Sequence, residues 1–429
     1  MDERAVITGI GVVCALGRTP DEVWEGLLYG RCGAARIDFV DFAEFPCKSA
    51  AITACPTPQD LHISPRDARI MNTHSFLLME SAVQAYRNAA IETTPEITPE
   101  AIGFFAGLPM VDYETDDLLA AVLKSSLPGG AIEGGLDYGT FYTKGYREIY
   151  PLWPLSMLNN IALCQSSVRL KIRGENAVFS AHADSGVSAI AEGVAAALSG
   201  RAKIVLTGGV SEKITPSGLA RGHIAGVLKS REDGTLSCRP FSSLRCGTTQ
   251  GDGAGFLAIE THSSAVARGV SPLAAITGWG RAFGLGDESC GGPTSAAITI
   301  SMSAALSMAE LKPADIDLLI AHGDGTSSGD KNEIEAINEL FKNCPISAIS
   351  TKGALGNLYA AAAPLDTAVA AYVIKTGRIP PSLYSAPVDE AVRFDIVTEN
   401  PLQKRVSRVM INCHSYEGQA SSLIIERVS

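Results

Sequence analysis

Residues 176–193, NAVFSAHADSGVSAIAEG, set a buried strand, a sharp turn and a helix in direct succession. Enzymes mount nucleophiles at such turns, because the first amides of a helix and its dipole stabilise a thiolate or an oxyanion. This turn offers His182, Ala183 and Asp184, and a methyl group stands where the nucleophile is expected. A second candidate is HGDGTSSGDKNEIE, where His322 ends a strand and three glycines allow close backbone approach. Asp330 then reads as the N-cap of a helix. Such a turn aims an imidazole into a pocket or holds a hydrogen-bonded core histidine, and the motif alone leaves both open.

Other glycine motifs carry less chemistry. GIGVVCALG has a G-x-G, but Cys14 replaces the third glycine of a dinucleotide loop. QGDGAGF lacks the Gly-Lys-Ser/Thr of a phosphate loop and reads as a tight turn before a buried strand. The ten cysteines are scattered with no C-x-x-C pair, so no metal or disulfide framework is expected. Cys246 and Cys413 lie near glycines and are kept as chemical candidates; the others read as small buried hydrophobes.

These segments need elements to hold them. RAVITGIGVV reads as a strand entering a glycine turn, and TPDEVWEGLLYG as a helix with acids in its first turn. SPRDARIMNTHSFLLMESAVQAYRNAAI reads as one long helix, with Ser64 as cap and Pro65 at its first position. AIGFFAGL is a buried strand, and residues 109–153 form an irregular excursion from the core. After the turn at Ala183, Val187, Ile190, Val194, Ala197 and Leu198 recur at helical spacing, and Gly200 stops the helix. KIVLTGGV and GAGFLAIE are further strands. A division at 262/263 separates two halves of similar element order. The second half has a helix at about 296–311, the strand IDLLIAHG, a helix from Asp330, the strand ISAIST and a helix from about Leu358. The strands RVSRVMINC and SSLIIER close it. Alternating helices and apolar strands predict an α/β protein with parallel-rich sheets covered by helices, and the repeated order hints at duplication.

Composition agrees with a large core. Apolar residues make up 46% and charged residues 19% of 429, far from a disordered composition. A net charge of -11 argues against nucleic-acid or anionic-membrane partners. No basic-then-apolar leader opens the chain, and Pro364 and Asp366 interrupt the longest late apolar run. A soluble, cytoplasmic protein is expected.

Taken together, ITGIGVVCALG, ADSGVSAIAEGVAAALSGRAKIVLTGG, RPFSSLRCGTTQGDGAGFLAIE, AHGDGTSSGDKNEIEA, STKGALGN and NCHSYEGQASSLII resemble the β-ketoacyl synthase family of the thiolase superfamily. The resemblance spans nearly the whole chain. It implies a thiolase-like duplicated α-β-α-β-α layered fold. It also implies a chemistry: a Cys carries an acyl chain as a thioester, and two histidines bind a malonyl thioester whose decarboxylation yields the attacking enolate. A Lys and a Glu order the histidines. On this chain the Cys position falls on Ala183, the first His on His322, the second His on Asn357, the Lys on Lys352 and the Glu on Glu333. Tyr416 stands at the aromatic gate, with Ser415 and Glu417 in place of glycines.

A chain without the thiol cannot form the thioester. The resemblance therefore extends to chain length factors, the non-condensing subunits of type II polyketide synthases, and GNLYAAAAPLD is similar to their version of the second-His motif. Many of them carry Gln where this chain has Ala183. The implied role is to pair with an active ketosynthase α subunit and shape the tunnel of the growing polyketide, with acyl carrier protein as a further partner and no cofactor or metal. Expected tunnel and gate residues are Met110, Tyr113, Leu118, Phe141 and Tyr416; expected interface residues are Ala177, Phe179 and His182. Two alternatives remain. One is a malonyl-carrier decarboxylase using His322 and Asn357, and the other is a homodimeric module that binds acyl chains or carrier protein.

Overall fold

The computed structural model describes residues 3–37, 47–94, 96–112, 115–130, 134–180, 183–228, 238–286 and 292–428. Their centre is an eleven-stranded mixed sheet. We number its strands β1 (Ala5–Cys14), β2 (Ile102–Leu108), β3 (Asn176–Ser180), β4 (Ile204–Ser211), β5 (Gly253–Thr261), β6 (Ala274–Phe283), β7 (Leu318–Ile320), β8 (Ser347–Ile349), β9 (Asp395–Ile396), β10 (Arg408–His414) and β11 (Gln419–Glu426). The spatial order is β9-β8-β7-β10-β11-β6-β1-β5-β4-β2-β3.

Counted within each half, and setting the two-residue β9 aside, both halves have the strand order 3-2-4-5-1. In each, the first three neighbours pair in parallel and the last two are antiparallel. The halves meet where β1 and β6 pair antiparallel, Val6 opposite Ala275. This is the duplicated, layered α/β architecture that the sequence implies.

Helices complete the layers. Helix α1 (Thr73–Asn88) packs on β1 and β5, and α3 (Ser295–Met308) packs on β6 and β11 in the same relation. Between the halves lie α2 (Asp184–Leu198) and α5 (Ala362–Thr376), which touch each other and strands of both halves. A helix that is apolar on nearly every side must be buried on every side. The AAPLDTAVAAYVI run of α5 meets that condition, and with α2 it sits in the largest apolar cluster, among Ile190, Val194, Leu365 and Val369.

Two glycines let these layers close. A Cβ on Gly186 of α2 would lie 2.2 Å from the Ala360 carbonyl oxygen, and one on Gly209 of β4 would lie 2.1 Å from the same atom. Ala360 sits in the turn that leads into α5, so both halves converge on one peptide group.

Several local readings need correction. The long helix expected from Ser64 is two: Pro65–Ala68 and α1. Asn72 starts the second, because its side chain accepts from the Ser75 N–H and Oγ–H. Helix α4 (Ser327–Leu340) is capped by Thr326, not Asp330; the Thr326 hydroxyl accepts from Gly329 N–H, and Asp330 is buried inside the helix. The helix expected from Leu358 begins at Ala362, after the short turns 352–355 and 359–361. The excursion also contains short helices, among them Thr115–Lys124 and Tyr138–Thr143.

Candidate functional site

In parallel sheets, binding groups gather beyond the carboxyl ends of the strands. Strands β7 and β10 are parallel, with Ile320 opposite Ile411, so His322 and His414 emerge side by side. Their rings lie 5.0 Å apart between centroids, inclined at 37°. Both are buried.

The backbone of this corner is held by one carboxylate. Glu333, on α4, accepts the His322 N–H at 2.9 Å and the Gly323 N–H at 2.8 Å, and Asn412 Nδ2 donates to it at 3.1 Å. Burial works against its charge, but His414, His322 and these donors outweigh burial and hold its pKa below the usual value. The Glu position thus grips the main chain at 322, not the imidazole.

The His322 ring is oriented by its neighbours. Its Nδ1 accepts the His414 N–H at 3.2 Å, which places the proton of the neutral ring on Nε2. Nε2 faces Asp324 Oδ2 at 3.8 Å. Burial disfavours the Asp324 charge, but His322 and the Thr326 donors more than offset it and keep this carboxylate well below the usual range. His414 is different: burial pushes its pKa down to about 3, and its Nε2 is buried with no partner among the described residues. His322, Asp324, Thr326, His414, Ser415 and Tyr416 line one small cavity. Tyr416, expected at a gate, is therefore on the cavity wall, half-buried and packed against the small apolar cluster that includes Ile214, Leu219 and Leu228.

Lys352 is fully enclosed and pairs with Asp366 at 3.9 Å, while Thr351 Oγ1 donates to the other Asp366 oxygen at 2.8 Å. Burial disfavours its charge, but Asp366 first and then Cys413, Glu333 and Asp324 lift its pKa. The buried Cys413 thiol lies in the electrostatic reach of Lys352, Asp366, Asp184 and Glu333, which links this cluster to the start of α2. Burial pushes that thiol up to about 12, so Cys413 is an inert group.

At the start of α2, Ala183 has helical backbone angles (φ -62°, ψ -33°), no side-chain cap and a fully buried methyl. Asn357 is placed apart from the cavity. Its N–H donates to Thr249 O at 2.7 Å, its carbonyl accepts from Gly251 N–H at 3.0 Å, and its Oδ1 accepts from Tyr359 N–H at 3.1 Å. The sequence-predicted pair of His322 and Asn357 is thus not joined on one cavity, whereas His322 and His414 are. Asp324, Asp366, Asn412 and His414 were missed. The period-2 alternation of MINCH puts Asn412 and His414 on one face of β10, and that was the available signal.

The expected tunnel residues are dispersed. Met110 is exposed, and its carbonyl accepts from Lys213 Nζ; Lys213 and Arg221 both pair with buried Asp112. Leu118 and Phe141 are half-buried in the excursion, Phe141 edge-on to Tyr142 at 5.4 Å. Ala177 and Phe179 lie on β3, the last strand of the sheet, packed partly against the core. Tyr113 and His182 lie outside the described residues. Among the described residues no three His, Cys, Asp or Glu side chains gather as a metal site, and no helix is long and apolar enough to cross a membrane.

Comparison with known proteins converges on one group. The sequence pattern of the "Beta-ketoacyl synthase, N-terminal domain" matches residues 2–265, and that of the C-terminal domain matches 273–385. The 3-oxoacyl-[acyl-carrier-protein] synthase 2 of Staphylococcus aureus (strain COL) is 27% identical over 428 residues, covering 99% of each chain. A beta-ketoacyl synthase from Burkholderia phymatum STM815 superposes with a TM-score of 0.86 at 26% identity, over 100% of both chains. The ishigamide ketosynthase/chain length factor superposes at 0.84 with 24% identity, again over 100% of both, a likeness of fold.

Proposed function

The chain belongs to the beta-ketoacyl synthase family, and from that premise we propose that it is a non-condensing, chain-length-factor-like subunit. In this reading it pairs with an active ketosynthase and shapes the acyl tunnel of a type II polyketide synthase in the cytoplasm. The observation that carries the reading is the buried methyl of Ala183 at the helix start. The scaffold that would activate a thiol is intact there: helix amides, the dipole and the tight layer contact at Ala360. The thiol is not, and Cys413 is too deeply buried and too weakly acidic to replace it. Removing the nucleophile from a comparable covalent enzyme costs roughly 10⁶ in rate.

A surface suited to a partner supports the same reading. Strand β3 ends the sheet, so its free edge offers backbone donors and acceptors for another strand. The neighbouring excursion exposes Leu123, Tyr138, Tyr142 and Tyr146, an apolar display that a large obligate interface would cover. Asn159 Nδ2, at the start of the helix that follows the excursion, donates to Ser180 Oγ at the end of β3 at 2.8 Å. Ala177 and Phe179 then serve the interface, Met110, Leu118 and Phe141 the tunnel wall, and carrier protein meets the assembled pair.

Co-expression with a ketosynthase that keeps its Cys-His-His set tests this. A heterodimer that makes a defined product is expected, with loss of product when this chain is omitted. A chain that is dimeric alone and ignores the ketosynthase would favour the homodimeric binding module.

A further inference from the structure

The end of the sheet opposite the two histidines carries another cavity. Strand β11 runs antiparallel to β10, with Glu426 opposite Arg408, so the residues after it lie at the start of β10. That is a strand length, about 20 Å, from His414. A cavity of about 720 Å³ opens there, where β1, the approach to β6, the end of β11 and the last turn of α5 meet. Its volume suits a small molecule. Ile10, Leu273, Ile374 and Val428 give it apolar walls, and Tyr372, Lys375 and Arg427 supply polar groups.

The two cations of this cavity are uncommitted. Arg427 Nη2 donates to the carbonyls of Ile374 and, at 2.9 Å, of Val406, which fixes the guanidinium beside the C-terminal end of α5. Its Nε is buried with no partner, and its Nη1 makes no hydrogen bond to a described residue. Lys375 is exposed, and its Nζ lies 5.9 Å from the centre of the Tyr372 ring. Neither cation pairs with a carboxylate among the described residues. The nearby acids are taken: Glu260 by Arg268, and Glu426 by Arg408. Asp21 accepts from the Tyr372 hydroxyl at 2.6 Å, and the Tyr372 ring stands against Trp24 at 5.3 Å between centroids. Two cations against the Asp21 carboxylate leave one positive charge, which a single carboxylate balances and a phosphate dianion overshoots.

We infer that this cavity binds a small organic carboxylate with an apolar body. The carboxylate sits between Lys375 Nζ and Arg427 Nη1, and the body lies against Ile10, Leu273 and Val428. The site joins β1 of the first half to α5 and the end of β11 of the second, so a ligand there stabilises the junction of the halves. The inference does not rest on the subunit reading.

Calorimetric titration of the full chain with 2-naphthoate tests it. A Kd of about 1 mM or tighter is expected. The neutral 2-naphthamide, with the same rings, should bind about tenfold more weakly or worse. Lys375→Gln, a surface change, should weaken naphthoate binding by about threefold. Leu273→Trp, which fills the cavity, should abolish it, and thermal melts establish that both variants are folded. Naphthoate should also raise the Tm of the parent chain and leave that of Leu273→Trp unmoved. Absence of binding to the parent, equal binding of naphthoate and naphthamide, or binding that survives Leu273→Trp overturns the inference. Inorganic phosphate that displaces naphthoate at equal concentration overturns the choice of a carboxylate.

Discussion

The two halves of the sheet share one strand order but spend it differently. After its second strand, the first half sends out the excursion, several of whose apolar side chains, Leu123, Tyr138, Tyr142 and Tyr146 among them, face outward. After its second strand, the other half builds the buried His322 turn and α4, whose inner face carries the buried Asp330 and Glu333. After the third strand the two are alike: α2 and α5 each have fifteen residues, start at an alanine in helical conformation and lack a side-chain cap. A duplicated unit can keep its central helices while one copy specialises in surface and the other in a polar interior.

The sharpest way to break this contrast is Glu333→Ala. It strips a buried carboxylate from two backbone amides and Asn412, and a loss of about 4 kcal/mol in urea unfolding is expected. Next is Gly209→Ala, which drives a methyl against the Ala360 carbonyl where the halves converge, with an expected cost of about 3 kcal/mol.

A smaller effect comes from His414 and pH. Its pKa of about 3 in the folded chain lies below the ordinary value of 6.5, so the unfolded chain binds the proton first. Stability is then lost as pH falls from about 6.5 toward 3. Between pH 7 and pH 5 this group removes about 2 kcal/mol, and His414→Phe should remove that part of the acid sensitivity in paired denaturation curves. Smallest in stability is Leu123→Glu on the exposed face, within about 0.5 kcal/mol of the parent. That variant should nevertheless weaken ketosynthase pairing by about tenfold or more in a binding titration, and intact pairing would detach the excursion from the interface.

The fold was legible because its signals are local and repeated: uninterrupted apolar strands such as AIGFFAGL, the stripe Val187–Ile190–Val194, and Gly200 as a stop. His322, Glu333 and Lys352 were legible as positions, and all three lie in the buried polar core around the cavity or beside it. Less was legible about what each touches. Lys352 finds Asp366, fourteen residues on, and Glu333 finds main-chain amides, because these partners are chosen by packing. His414 was hidden for another reason: HSYEG reads as a gating loop after the strand RVSRVMINC, whereas β10 runs on to His414 and the β7–β10 register carries it to His322. The split at Asn72 turned on one cap, a choice between neighbouring polar residues that periodicity cannot make.

The grip of Glu333 on consecutive amides has a consequence for how such a site ages. The turn at 322 keeps its shape whichever side chain stands there, since the anchor is the main chain. The start of α2 likewise takes no capping hydrogen bond from the side chain at 183. Reactive groups at both places are therefore free to be exchanged or lost one at a time while the frame survives. Among descendants of one ancestor, the anchoring acid should outlast the groups that do the chemistry.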